Sequence, residues 1–347
     1  MARSIPIASG ATSRNTHVLG ARYSRPGAIK PGITKPVLGA WSMAKITILG
    51  PMNVDLIIHG TAPEKKEALL EWVGTSEVSV LAAGAIGYYA GVIRSLGHDI
   101  SVITTLGDDP LGGIVLDCLK RLHSDTELVE IQHGKTTAIG IYMLLFGSKK
   151  RPLTYQMPTH DLWPLDFTPK QLDAVRAASW FHHGGYLHFP PAWKGSVLEL
   201  FTLARKHGIG TSLDPQFPLT DYPVPWVRAV EPILPLVDIL FVDKHEACSL
   251  MAMDDHVGAA RALLAKGPKT VIVKLGEEGS ILVDGEGVIS QPAEKIPFTE
   301  IVDSIGAGDS FDAGFIDAWI DKKSKQECLL NATRVAARTL RKPGGQL

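Results

Sequence analysis

Short apolar runs alternate with amphipathic stretches along most of this chain. The apolar runs have the length of buried strands, and they are Lys45–Leu49, Ile100–Thr105, Trp180–His182, Ile209–Leu213, Ile239–Val242 and Thr270–Lys274. The stretches between them predict helices over Gly84–Leu96, Leu111–Leu122, 194–206, 244–252 and 256–266. Strands and helices in this order form βαβ units, which build a parallel sheet covered by helices on both faces. The pattern therefore predicts an α/β fold, a three-layer α/β/α sandwich with a mainly parallel central sheet.

Two stretches break this alternation and predict a second, smaller sheet. Residues 136–145 and 151–157 are rich in β-forming residues, and the Gly-Ser-Lys-Lys segment at 147–150 between them is typical of a hairpin turn. Together with 53–60 and 76–82, this hairpin is expected to form a small sheet that projects from the main one. Ligands of α/β folds bind beyond the carboxyl ends of the strands, so the small sheet is expected to serve as a lid.

The first 42 residues lack both patterns. Residues 1–54 contain no Asp or Glu but seven Arg or Lys, which is typical of a transit peptide. However, Pro26, Pro31 and Pro36 would break an amphipathic targeting helix. We therefore predict a disordered N-terminal extension over 1–42, with a targeting peptide and an over-long start as alternatives, and a folded domain over 43–347.

Composition excludes several classes of protein. The chain has 347 residues and balances 35 basic against 36 acidic residues, so bulk charge does not favour nucleic acid as a partner. No apolar run approaches the roughly 20 residues that span a bilayer, so no membrane partner is expected. The three cysteines are far apart and form no CxxC pair, which argues against a zinc site or a disulfide framework and suits a reducing compartment. We expect a cytoplasmic protein.

The strongest chemical signal is a glycine-rich turn that enters a helical pattern. In Gly306-Ala307-Gly308-Asp309, the two glycines allow successive N–H groups to converge, and the following helix adds the positive end of its dipole. Such a loop binds an anion, most often phosphate. Asp309 would lie in the first helical turn, where a carboxylate is expected to stay ionised. A carboxylate base beside a phosphate site describes phosphoryl transfer to an alcohol. For these four residues alone, a simple helix cap is the alternative.

The wider context of this turn resembles a known signature. Residues 303–311 read DSIGAGDSF, and the ribokinase-like (PfkB) carbohydrate kinases carry D-T-x-G-A-G-D-x-F at their C-terminal end. Three further stretches resemble the family's motifs in the same order. Residues 53–55 (NVD) resemble its sugar-contacting N-x-D, and residues 107–112 (GDDPLG) resemble its G-x-D-x-x-G. Residues 274–279 (KLGEEG) resemble its nucleotide-binding K-x-G-x-x-G. The resemblance covers the chain from Met43 onward. It implies the ribokinase-like sandwich with a β-lid, and an ATP- and Mg²⁺-dependent sugar kinase that in some relatives pairs through its lid as a homodimer.

The sequence also departs from the family pattern. Where relatives carry G-G-x-x-x-N, this chain has Ala83-Gly84 and then Tyr88 at the position of the sugar-contacting Asn. The family's N-x-x-E, which organises magnesium, occurs as Asp243 to Glu246; Asp keeps an oxygen ligand and adds a charge. Relatives continue past the position of Leu347 into a segment that helps to bind a monovalent cation, so activation by potassium is left open.

The resemblance assigns a role to each matching residue. Asp309 would accept the proton of the substrate hydroxyl, and the amides of Gly306, Ala307 and Gly308 would stabilise the transferring phosphoryl group. Glu246 and Asp243 would hold magnesium through water. The nucleotide would be lined by Lys274, Gly276 and Gly279, although the two glycines by themselves also fit a β-turn. The substrate hydroxyls would be contacted by Asn53 and Asp55, with Gly84 and Tyr88 close by.

These roles predict ATP-dependent phosphorylation of a hydroxyl group of a sugar or polyol. Two alternatives remain open on the sequence. One is a nucleoside or vitamin-alcohol kinase of the same superfamily. The other is a non-catalytic ligand-binding module on the same fold, which the departures at Tyr88 and Asp243 would suit but the intact Asp309 would not.

Overall fold

The computed structural model describes the part of the chain that carries the predicted strands and helices, namely residues 43–60, 76–144, 153–156 and 166–342. The predictions of an extension over 1–42 and of a hairpin turn at 147–150 lie outside the described residues.

The described residues form thirteen strands. In chain order they are β1 (Lys45–Leu49), β2 (Asn53–Gly60), β3 (Ser76–Ala83), β4 (Asp99–Gly107), β5 (Val129–Gln132), β6 (Ile139–Met143), β7 (Leu153–Gln156), β8 (Trp180–Gly184), β9 (Gly210–Asp214), β10 (Ile239–Asp243), β11 (Thr270–Lys274), β12 (Ser280–Asp284) and β13 (Gly287–Gln291). Nine of them form one sheet in the order β13-β12-β11-β10-β9-β8-β1-β4-β5. The strands from β11 to β5 in this order pair in parallel, and β12 and β13 are antiparallel additions at one edge. The predicted, mainly parallel central sheet is confirmed.

Nine α-helices accompany these strands within the described residues. They are α1 (Gly87–Ser95), α2 (Pro110–Arg121), α3 (Pro169–Arg176), α4 (Ser196–Lys206), α5 (Val227–Val230), α6 (Lys244–Met251), α7 (His256–Leu264), α8 (Ala307–Ile320) and α9 (Lys325–Thr339). The helix predicted from Gly84 begins three residues later, at Gly87, because Gly84 has a left-handed φ of +90° that a helix does not use. None of the described helices has the length and hydropathy to cross a membrane.

Alternate residues of each central strand pack into different cores, which gives the sandwich its three layers. On β11, Val271 and Val273 belong to one core, together with residues of α4 and α7. Ile272 between them belongs to the other core, together with residues of α1, α8 and α9. All three side chains are fully buried. Apolar side chains on both faces are expected of a parallel sheet that helices cover on both sides, and they explain why these strands read as continuous apolar runs.

Four strands form the predicted second sheet, in the order β3-β2-β6-β7. β2 pairs antiparallel with β3 and parallel with β6, and β6 pairs antiparallel with β7. The small second sheet is therefore confirmed, whereas its role as a lid stays a prediction.

Polar residues occupy the carboxyl ends of three neighbouring central strands. Asp214 ends β9, Asp243 ends β10 and Lys274 ends β11. Because these strands are parallel neighbours, their last residues meet at one edge of the sheet. The N-terminus of α8, which follows Gly306, comes to the same edge: a Cβ atom placed on Gly308 would lie 3.5 Å from Lys274 Nζ.

Candidate active site

The glycine turn before α8 adopts a conformation that few other residues allow. Gly306 is the N-cap of the helix and has φ +73°. A Cβ atom placed on it would lie 2.7 Å from Cγ of the Tyr88 ring, which covers the turn. The helix begins at Ala307, so the amides of its first turn point out of its N-terminal end. The turn therefore presents the positive end of the helix dipole at the edge of the sheet, where the Ala307 amide donates to the Ser304 carbonyl at 3.3 Å.

Asp309 lies in the first turn of this helix and is half-buried. Its Oδ1 accepts a hydrogen bond of 3.2 Å from Nε2 of Gln216. The pKa of Asp309 is raised to about 7, first by burial and then by the nearby Asp214 and Asp55 carboxylates, while Lys274 acts in the opposite direction. This differs from the expectation that the helix N-terminus keeps the carboxylate ionised at all neutral pH values. Burial beside other carboxylates outweighs the helix dipole at this position.

Lys274 is held between two carboxylates. Its Nζ donates to Oδ2 of Asp214 at 2.7 Å and to Oδ2 of Asp312 at 3.2 Å. Burial alone would raise the pKa of Asp214, but Lys274 and further hydrogen bonds hold it below the usual value. Burial raises the pKa of Asp312 well above its usual value despite Lys274. The cluster therefore contains a Lys274–Asp214 ion pair, with Asp312 favouring its protonated form.

Asp243 and Glu246, the predicted magnesium pair, form a capping box at the start of α6. Asp243 Oδ1 accepts from the Glu246 amide, and Glu246 Oε2 accepts from the Asp243 amide, each at 2.7 Å. The box uses one oxygen of each carboxylate, and both residues line the same cavity as Lys274. Burial, followed by the Asp214 and Asp243 carboxylates, raises the pKa of Glu246 well above its usual value.

This pair fits magnesium by the chemistry of its donors. Within the described residues, no group of three or more His, Cys, Asp or Glu side chains is arranged to hold a metal ion. Magnesium, however, is commonly held by one or two carboxylates together with waters and substrate phosphates. Two carboxylates that border the cavity of Lys274 meet that requirement.

One cavity of about 1630 Å³ joins the predicted phosphate, nucleotide and magnesium residues. It brings together Ala307, Gly308 and Asp309 of the turn, Lys274, Gly276 and Gly279 after β11, and Asp243 and Glu246 of the capping box. An apolar side is formed by Leu275, Ile296, Ile301, Ala336 and Leu340. Gly276 and Gly279 also form a tight turn between β11 and β12, with a Gly279 N–H to Gly276 carbonyl hydrogen bond of 3.1 Å. The interpretation of these glycines as a turn agrees with the structure, whereas their contact with a nucleotide stays a prediction.

The predicted substrate residues form a second cluster beside the turn. Asn53 Nδ2 and Tyr88 OH donate to the two oxygens of Asp55, each at 2.6 Å. Asp55 is 1% exposed. Burial raises its pKa to about 6, although the hydrogen bonds from Tyr88 and Asn53 act in the opposite direction. A Cβ atom placed on Gly84 would lie 2.5 Å from Asn53 Oδ1, so glycine is needed there for the close approach. Tyr88 thus connects Asp55 on β2 to Gly306 of the anion turn.

The stretch that resembles G-x-D-x-x-G lies away from this cavity and stabilises local packing. Asp109 caps α2 by accepting from the Gly112 amide at 3.0 Å. A Cβ atom on Gly112 would lie 2.3 Å from the Gly107 carbonyl oxygen, which explains the need for glycine.

Three residues that contact the predicted ones were not predicted from the sequence, namely Asp214, Gln216 and Asp312. Asp214 was detectable, because it ends β9 just one residue beyond the predicted strand, at the sheet edge where ligands bind. Gln216 and Asp312 carried no such signal.

Comparisons with known proteins show what this chain is similar to. The family model described as "pfkB family carbohydrate kinase" matches residues 43–347. The chain is similar to ribokinase of Arabidopsis thaliana, with 26% identity over 304 residues, 84% of this chain and 75% of that protein. It is also similar to fructoselysine 6-kinase of Escherichia coli strain K12, with 28% identity over 247 residues, 70% of this chain and 83% of that protein.

Solved structures show the same fold. Arabidopsis thaliana ribokinase complexed with ribose and ATP has a TM-score of 0.69 and 23% identity, over 87% of this chain and 94% of that chain. An Escherichia coli chain solved in complex with ATP and Mg²⁺ has a TM-score of 0.72 and 18% identity, over 88% of this chain and 96% of that chain.

Proposed function

The chain belongs to the pfkB family of carbohydrate kinases, and we propose that it transfers the γ-phosphoryl group of ATP to a hydroxyl group of a sugar or polyol. One observation carries the proposal: the glycine turn of α8, the Asp309 carboxylate and the Lys274 ammonium border a single cavity. An anion site beside a base and a fixed cation has the parts that phosphoryl transfer to an alcohol needs.

Asp309 acts as the general base. A base is most effective when its pKa lies near the working pH, and burial raises the pKa of Asp309 to about 7. At neutral pH a large fraction of this carboxylate is ionised and ready to accept the proton of the attacking hydroxyl. The same proton affinity makes acceptance of the proton favourable as the oxygen–phosphorus bond forms.

The turn and Lys274 stabilise the charge of the transferring group. The amides of Gly306, Ala307 and Gly308 lie at the N-terminal end of α8, where negative charge is favoured. Lys274 adds a positive charge next to these amides. Its Nζ would lie 3.5 Å from a Cβ atom placed on Gly308. These dipoles and this charge are already in place, so little reorganisation is needed during transfer.

The nucleotide and its metal lie on the side of the cavity formed by β10, β11 and α6. Lys274, Gly276 and Gly279 contact the nucleotide, and the apolar side of the cavity receives the base. Asp243 and Glu246 would hold magnesium, which would neutralise phosphate charge and orient the phosphates.

The acceptor lies on the side of Asn53, Asp55, Gly84 and Tyr88, between the second sheet and the anion turn. The second sheet covers it as a lid and excludes water, which limits ATP hydrolysis. Both Asp55 oxygens already accept hydrogen bonds from the chain. Tyr88 therefore restricts which acceptor hydroxyls reach this carboxylate.

An ADP-release assay with Mg²⁺ and ATP over a panel of sugars, polyols and nucleosides tests the proposal. We expect release that depends on a sugar or polyol and that Asp309→Asn lowers by about 10²–10⁴-fold, the range of general base catalysis. Asp117→Asn is the matched control, since this carboxylate is 67% exposed on α2. Release without any acceptor dependence, or full activity of Asp309→Asn, would contradict the proposal, and a preference for nucleosides would reassign the acceptor.

A further inference from the structure

Gln216 is a polar residue next to Asp309, the proposed general base. No sequence motif identifies it. It lies two residues after Asp214, the end of β9, and it borders the same cavity as Asp309. Its Nε2 donates to Asp309 Oδ1 at 3.2 Å. The carboxylate of the proposed base therefore has an amide donor from a different element of the fold.

The backbone of Gln216 has an unusual conformation. Four non-glycine residues have positive φ in the part of the chain that the structure describes. Three of them, His123, Ala252 and Lys322, follow the ends of α2, α6 and α8, where a left-handed residue commonly ends a helix. Gln216, with φ +55°, follows a strand. A left-handed non-glycine residue persists only where its surroundings hold it, and such residues cluster at functional sites.

The surroundings of Gln216 hold this conformation through Asp214. Asp214 Oδ1 accepts from the Gln216 amide at 3.0 Å, while its Oδ2 accepts from Lys274 at 2.7 Å. The carbonyls of Asp214 and Pro215 accept from the Gly185 and Leu187 amides at 2.8 and 2.9 Å. The backbone that aims the Gln216 side chain is therefore fixed from two directions.

From this geometry we propose that Gln216 is a positioning residue, which orients the Asp309 carboxylate and stabilises its ionised form; the proposal rests on the role of Asp309 given above. An amide N–H donates to a carboxylate without adding a full charge. It therefore fixes one oxygen and leaves the carboxylate basic, whereas a lysine or arginine at the same distance would pair with it and lower its proton affinity.

Other charged groups also face Asp309. Asp214 at the end of β9 and Asp55 on β2 favour its protonated form, and Lys274 at the end of β11 favours the ionised form. Asp312 on α8 also faces Asp309, but burial raises the pKa of Asp312 well above its usual value, so it favours its own protonated form. Lys274 is already paired with Asp214. Removing the Gln216 donor should therefore shift Asp309 toward its protonated form.

Gln216→Met keeps an unbranched side chain of similar length and removes the donor. Loss of a hydrogen bond to a charged group should raise the pKa of Asp309 by about one to two pH units. At pH 7 this rise in pKa lowers kcat by about fivefold or more, and the difference in kcat from wild type should shrink by pH 9. The KM values for ATP and for the acceptor should stay within about twofold of wild type. The control is Gln326→Met, which removes an exposed amide that bonds Gln291 on the surface.

A second readout does not require activity. The titration of Asp309 is followed by ¹³C NMR of labelled aspartate carboxyls in wild type, Gln216→Met and Gln216→Glu, with Asp309→Asn to assign the signal. We expect the pKa of Asp309 to rise in both Gln216 variants, and more in Gln216→Glu, because a second carboxylate repels the ionised base. Gln216→Glu also serves if Gln216→Met does not fold.

The proposal is overturned if the pKa of Asp309 is the same in the variants, or if kcat falls equally at every pH. The latter would indicate a structural role alone. If instead Asp309→Asn stays active, the proposed function fails, while the NMR titration still decides whether Gln216 stabilises the ionised carboxylate.

Discussion

Gly306→Ala tests whether the anion turn and the predicted substrate cluster are one packed unit. Gly306 has φ +73°, and a Cβ atom on it would lie 2.7, 3.0 and 3.1 Å from three atoms of the Tyr88 ring. The ring has little freedom to move away, because the Tyr88 hydroxyl donates to buried Asp55 at 2.6 Å. The methyl group must therefore displace the turn, or break the hydrogen bond to Asp55.

Two costs contribute to the expected loss of stability. A left-handed conformation costs a non-glycine residue about 1–2 kcal/mol. Overpacking a buried site by one methyl group costs about 1–3 kcal/mol. We therefore expect Gly306→Ala to lower the free energy of unfolding by about 2–5 kcal/mol, measured by urea denaturation. Gly308→Ala is the matched control for stability: its Cβ atom would meet its nearest neighbour, Lys274 Nζ, at 3.5 Å, and alanine favours the helix by up to about 1 kcal/mol.

A double variant identifies the source of the loss. Tyr88→Ala removes the ring that the new methyl group would touch, so Gly306→Ala should cost about 1–3 kcal/mol less in that background. Equal costs in both backgrounds, or a Gly306→Ala protein within about 0.5 kcal/mol of wild type, would refute the packing argument.

The remaining predictions concern the turn after β11 and the two titrating carboxylates. Gly279→Ala should destabilise the chain by about 3 kcal/mol or more in urea denaturation, because its Cβ atom would lie 2.1 Å from a backbone carbonyl oxygen. The control is Gly276→Ala, which should cost only about 1–2 kcal/mol because the new Cβ atom has open space around it. Burial raises the pKa of Asp309 from 3.8 to about 7, so ionisation costs stability as the pH rises through this window. Asp309→Asn should therefore stabilise the chain by about 1–3 kcal/mol at pH 8 relative to its effect at pH 4, and equal effects at both would contradict the shift. Tyr88→Phe should raise the pKa of Asp55 above about 6, because the lost hydroxyl donates to the ionised carboxylate. The variant should therefore destabilise the chain more at pH 8 than at pH 5. The same loss of stability at both pH values would argue against this prediction.

The fold was largely predictable because its signals are local. Buried strands such as β1 and β11 are apolar runs in the sequence, and the glycine turn at 306–308 predicts the start of α8. The antiparallel edge strand β13 was not predicted, since it is mostly exposed and has no apolar run. Its neighbour β12 was not predicted either, although its residues 280–283 are buried. Helix starts were less accurate than helix positions, as at Gly84, where a close backbone approach rather than periodicity decides the boundary.

The site was predictable only where a motif carried it. The four residues from Asp243 to Glu246 illustrate the ambiguity: an acidic N-cap followed by Glu three residues later is also the signature of a capping box, which is what these side chains form. Gln216 and Asp312 escaped because their roles depend on partners 93 and 38 residues away in the chain, Asp309 and Lys274. Such contacts exist only once the strands and α8 have packed.

The charges around Asp309 explain why a helix N-terminus does not keep it a strong acid. Lys274 is bound by Asp214 at 2.7 Å and by Asp312 at 3.2 Å, so its charge is largely balanced before it acts on Asp309. Burial can then raise the pKa of Asp309 to about 7, despite the dipole of α8. A carboxylate with a pKa near 4 would be a weak acceptor for a hydroxyl proton at neutral pH, whereas one near 7 is matched to that task. The Asp214–Lys274 pair thus keeps a cation beside the anion turn without removing the basicity of the neighbouring carboxylate, and Gln216 supplies the uncharged donor that this balance requires.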